Sequence, residues 1–172
     1  MFRVLLLLTT FAALSAWAGA QGPVPPLAAA DKLKLFKSNR TLLDNLVSHG
    51  IDLSGADGPL KRAEECRKTA VTLGNYVERA AKEDKNPDRV AELAGLMGDV
   101  VRDGLAPNLD EAERTYTPDS PGGKRVKELQ GIAATDLDNV RAAIPTNGKV
   151  GDNPKVKAAL AALAELKSKF GK

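Results

Sequence analysis

The chain holds one cysteine, Cys66, one histidine, His49, and, apart from the initiator, one methionine, Met97. A thiolate nucleophile needs a base within reach, and His49 is the only imidazole available to act as one. His49 and Met97 are of the right types for an axial haem pair inside a helical bundle, although no C-x-x-C-H attachment sequence occurs. Closed zinc sites ask for four Cys or His ligands and di-iron bundles for paired Glu-x-x-His motifs, and neither set is present. The stretch "DSPGGKRV" lacks the spacing of a nucleotide-binding P-loop.

Cys66 lies in "KRAEECRKTA", three residues after Ala63 and four before Ala70, on the apolar side of a helical pattern from which Glu64, Glu65, Arg67 and Lys68 point away. A free cysteine behaves there as a small hydrophobe, so a core position is expected. The sharper alternative is an intermolecular disulfide, since an odd cysteine in an exported chain can pair with another molecule. His49 immediately precedes Gly50, a residue able to end a helix, so His49 is expected to cap the last carbonyls at the negative end of the helix dipole.

Some all-α active sites, such as those of exported chorismate mutases, use only charged and amide side chains. Arg40, Arg62, Arg125 and Gln130 are the residues such a pocket would recruit here, but that family's motif is not found. Asp110, Glu111 and Glu113 follow Pro107 at a helix start, where carboxylates complement the dipole without any catalytic duty. Asp136 and Asp138 are two residues apart, the wrong spacing to share a helix face. No catalytic, cofactor-binding or metal-binding residue is therefore assigned.

The elements that hold these groups follow from the spacing of apolar residues. Residues 1–20 carry Arg3, an apolar run and the small residues Ala18-Gly19-Ala20, the layout of a cleaved secretory signal peptide. The run is too short to span a bilayer, and Gln21 after the cut is not a lipoprotein cysteine. Residues 21–30 form a Pro/Ala-rich extended lead-in, and residues 31–172 a single helical domain.

In the first helix Leu35, Phe36, Leu42, Leu43, Leu46 and Val47 line one side up to Gly50. The sequences "DGP", "KNP", "DSP" and "DNP" then place helix starts at Pro59, Pro87, Pro121 and Pro154, where the missing proline N–H would have no partner anyway. Pro107 breaks or kinks the chain and opens a further short helix. Apolar positions recur at Ala63, Cys66, Ala70, Leu73, Val77 and Ala80, then at Val90, Leu93, Met97 and Val100. They continue at Val126, Leu129, Ile132, Ala133, Leu137, Val140 and Ile144, and at Val156, Leu160, Leu163, Leu166 and Phe170. No alternating strand pattern occurs, so the fold class is all-α, an up-and-down bundle of four to six helices.

Loss of the leader lowers the net charge from +3 to +2, a mixed surface that gives no polycationic track. Only Phe36, Tyr76, Tyr116 and Phe170 remain as aromatics, too few for base-stacking platforms, so nucleic acid is not an expected partner. The last helix sets Lys155, Lys157, Lys167 and Lys169 opposite an apolar side. That pattern fits an anionic membrane surface, a partner's groove or a terminal bundle helix, and burial of the stripe in a soluble protein favours the last. The expectation is an exported, soluble, non-catalytic bundle, periplasmic or extracellular, that acts by binding a protein partner. The alternative is a ligand-binding or enzymatic bundle, with haem on His49 and Met97 or a charge-lined pocket.

Overall fold

A computed structural model of the protein describes residues 29–84 and 87–171. The signal peptide and residues 21–28 of the lead-in lie outside the described residues. The chain divides into two compact units, residues 1–38 and 39–172. Of the first, the described part is the opening of helix α1, Ala29–Ser54, which starts two residues before the expected Asp31.

The second unit contains the remainder of α1, then α2 (Pro59–Arg79), α3 (Pro87–Asp99), α4 (Ala106–Thr115), α5 (Pro121–Ala143), the single turn α6 (Gly148–Gly151) and α7 (Pro154–Phe170). No strand occurs among the described residues. Wide π-helical turns follow α2 at Ala80–Asp84 and α3 at Val100–Leu105. The second precedes Pro107, which has no N–H for the preceding turn and whose ring crowds the carbonyl four residues back. The widened turn carries the helix into α4 in place of a break.

Each proline start is realised, at Pro59, Pro87, Pro121 and Pro154. Two of these starts carry side-chain caps that satisfy a first-turn donor: Ser120 Oγ accepts from the Gly123 N–H and Asn153 Oδ1 from the Lys155 N–H, each at 3.0 Å. Gly50 does not end α1, which continues to Ser54, where the Gly55 N–H bonds the Ile51 carbonyl at 3.1 Å. A mid-helix glycine costs only about 1 kcal/mol, and continuing the helix seats Leu53 against the core.

Close pairs fix the helix directions. Cys66 meets Gly104, and Arg62 reaches Asn108 and Glu111, so α2 runs antiparallel to the α3–α4 segment. Asp138 pairs with Lys167, and Ala134 lies against Gly171, so α5 and α7 form a second antiparallel pair. The two hairpins meet through parallel contacts, α2 on α5 and α3 on α7. A Cβ on Gly74 of α2 would come 2.5 Å from a Val140 methyl of α5, and one on Gly98 of α3 would come 2.8 Å from the Ala159 Cα of α7. Glycine at both points lets the hairpins close up. The α2–α5 and α3–α7 pairs therefore run parallel, while α4 also packs against α5, the helix that follows it.

The core between the hairpins contains Val77, Met97, Leu105, Leu109, Leu137, Val156 and Leu163, all at most 1% exposed. Most of the expected stripes are inside, with corrections on two helices. Ile132 is exposed because the α5 stripe runs Leu129, Ala133, Leu137 and passes it by. On α1 the inward line is Leu42, Leu46, His49 and Leu53, and Leu43 and Val47 belong to a neighbouring line that faces outward.

Candidate functional site

Position 49 departs furthest from the sequence reading. His49 is not a helix cap: α1 continues for five residues beyond it, and its ring turns toward α2. Nε2 lies 3.1 Å from Thr72 Oγ1, and Nδ1 lies 3.9 Å from Glu65 Oε2. The other Glu65 oxygen accepts a 2.6 Å hydrogen bond from Lys68 Nζ. That bond holds the Lys68 ammonium above its usual pKa range. Asp52, one turn after His49, completes a group whose ligand atoms all lie within 4.8 Å of one another. Glu65 does point away from the Cys66 stripe, as expected, yet α1 covers it and leaves its side chain only 14% exposed.

The spacing of His49 and Asp52 is the one part of this cluster visible in the sequence, because residues three apart share a helix face. Glu65 and Thr72 come from another helix, and no local pattern signals them. Beside the cluster an open cleft of about 670 Å³ is lined by Asp52, Lys61, Glu64, Glu65 and Lys68 among others.

Cys66 is buried on α2, with its Sγ packed toward Gly104. Burial pushes the thiol pKa up, the Glu65 charge adds to the shift, and Arg62 opposes it. The thiol is thus poorly ionised and shielded, the reverse of what a reactive cysteine requires.

The other groups singled out by sequence do not converge. Met97 is 0% exposed in the core, while His49 is engaged with Thr72 at the joint of α1 and α2. Arg40 makes an exposed pair with Asp44 on its own helix. Arg62 bonds Asn108 at 2.9 Å and Glu111 at 3.1 Å, tying α2 to α4. Arg125 pairs with Glu128 and Glu64. Gln130 keeps its Nε2 shielded without a partner. Arg40, Arg62 and Arg125 are thus each engaged in separate ion pairs, and Gln130 shares none of their partners.

Asp136 pairs with Arg67 across α2 and α5, and Asp110 with Lys169 at 2.6 Å. The last helix buries Val156, Ala159, Leu163, Leu166 and Phe170 in the bundle and ties Lys167 to Asp138. Its apolar stripe is therefore covered within the bundle. No described helix is long and apolar enough to cross one.

Comparison with protein-family models, with curated proteins and with solved structures finds no match for this chain.

Proposed function

We propose that this is an exported helical bundle that acts by binding another protein, and that α1 is its contact element. One observation carries the reading: α1 turns a continuous apolar line outward, Leu43, Val47 and Ile51, at 40%, 61% and 65% exposure. The i, i+4, i+8 spacing is that of a ridge that packs into a groove or beside a second amphipathic helix. Leu42, Leu46 and Leu53 hold the opposite side of the same helix against the core, so the ridge is presented on an anchored element. Scattered surface hydrophobics are ordinary, whereas three in register on one helix form a patch. The dispersal of Arg40, Arg62, Arg125 and Gln130 and the suppressed Cys66 thiol support binding over catalysis. Export rests on the leader at residues 1–20.

The test is crosslinking and affinity recovery of the processed protein from the envelope and medium of its native host. It is run in parallel with a variant carrying Leu43→Ser, Val47→Ser and Ile51→Ser. A stoichiometric protein partner that the variant loses supports the reading. A partner retained by the variant, or recovery of the bait alone, counts against it.

A further inference from the structure

Two atoms at the α1–α2 joint face each other without a bond. His49 Nδ1 and Glu65 Oε2 are both shielded from solvent and both lack a hydrogen-bond partner. Their separation, 3.9 Å, is too long for an N–H···O bond. The remaining polar atoms of both groups are engaged, Nε2 with Thr72 Oγ1 and Oε1 with the Lys68 ammonium. When Nε2 donates its proton to the Thr72 hydroxyl, Nδ1 turns a bare lone pair toward a carboxylate oxygen.

Buried acceptors left in this way are destabilising, because each has given up water and gained no donor. A cation between them satisfies both at once. Zinc binds imidazole nitrogen and carboxylate oxygen at about 2.0–2.2 Å each, so one ion can bridge a gap of this size.

We propose that His49 Nδ1, Glu65 Oε2 and a carboxylate oxygen of Asp52 bind a divalent transition-metal ion, with zinc preferred, which joins α1 to α2. Asp52 is exposed and free to swing, and its ligand oxygen already lies within 4.8 Å of the other two ligand atoms. One nitrogen and two oxygens suit zinc better than magnesium or calcium, which favour all-oxygen shells. Thr72 serves as the outer partner that fixes the imidazole tautomer, and Lys68 orients the Glu65 carboxylate. The cleft lined by Asp52, Glu65, Lys61 and Lys68 adjoins these ligands. Cys66, next in sequence to Glu65, packs toward Gly104 and is not a ligand.

The experiment uses tag-free, chelator-stripped full chain titrated with cobalt(II) and then zinc. One equivalent of cobalt is expected to give visible d–d bands without a sulfur charge-transfer band. Zinc should displace it and raise the midpoint of thermal unfolding. Glu65→Gln and His49→Ala should lose the spectrum, Thr72→Val should weaken binding about 10–100-fold, and Cys66→Ser should leave it unchanged. Asp52→Asn changes an exposed side chain, so its lost or weakened binding can be read in a folded protein even where His49→Ala does not fold. Absence of a cobalt spectrum in the parent protein overturns the proposal. So does binding that survives both Asp52→Asn and Glu65→Gln, or a thiolate band that disappears in Cys66→Ser.

Discussion

Gly98 of α3 lies so close to α7 that a methyl group in its place would come 2.8 Å from the Ala159 Cα and 2.9 Å from its Cβ. The obstructing atoms belong to backbone and to the shortest side chain, so no rotamer change relieves the contact. Gly98→Ala is therefore expected to destabilise the protein by about 1–2 kcal/mol, the overpacking cost outweighing the helix-propensity gain. Gly50→Ala meets nothing within 4 Å on its exposed face. It should stabilise by about 0.5–1 kcal/mol. Urea unfolding of the two variants against the parent checks both signs, and equal shifts would show that α3 and α7 are not this closely packed.

The two apolar lines of α1 make opposite predictions for stability. Leu42 is 5% exposed within the core. Leu42→Ala should cost roughly 2–5 kcal/mol, the range for a buried leucine. Serine at Leu43, Val47 and Ile51 together should change stability by no more than about 1.5 kcal/mol, at about 0.5 kcal/mol for each surface substitution. Thermal melts decide the matter, and a large loss in the serine variant would mean that the outward line is already covered within the folded chain.

Much of this architecture was legible before the structure, and the reasons are local. A proline constrains its own φ and lacks its own N–H, so Pro59, Pro87, Pro121 and Pro154 mark helix starts with no knowledge of what packs where. Cys66 sits among small apolar residues at helical spacing, and that periodicity alone puts it inside. Position 43 and position 42 are both leucine, however, and only the seat of α1 on α2 and α3 decides which one is core. Gly50 carries a stop signal that the burial of Leu53 overrides. The His49 cluster was hidden for a related reason, since Glu65 and Thr72 reach it from a second helix. The parallel meeting of the hairpins was also beyond the sequence, because it depends on the fit of Gly74 to Val140 and of Gly98 to Ala159.

Arg67 and Asp136 form a half-buried ion pair between α2 and α5, with 19% and 32% of the side chains exposed. Arg102 and Asp99 form a pair on one helix surface at 55% and 60% exposure. Solvent screening separates the two. A double-mutant cycle on Arg67→Ala and Asp136→Asn should give a coupling of about 1–2 kcal/mol. The cycle on Arg102→Ala and Asp99→Asn should give a clearly smaller coupling that fades with added salt. Equal couplings for the two pairs would mean that Arg67 and Asp136 do not join the helices in solution.

The Cys66 thiol supplies a pH signature. Burial raises its pKa above that of the thiol in an unfolded chain, with the Glu65 charge assisting. The folded protein thus keeps the proton that the unfolded chain releases first, and stability must fall as pH rises past the ordinary thiol range toward the folded value. Below that range the contribution is complete. The advantage of the parent over Cys66→Ala, about 1 kcal/mol at neutral pH from lost packing, should therefore shrink in alkaline buffer. The same burial predicts slow reaction with DTNB in the native protein and fast reaction in denaturant. Rapid native labelling, or a parent-to-variant difference that stays flat with pH, would place Cys66 at the surface and reopen its role as a pairing thiol.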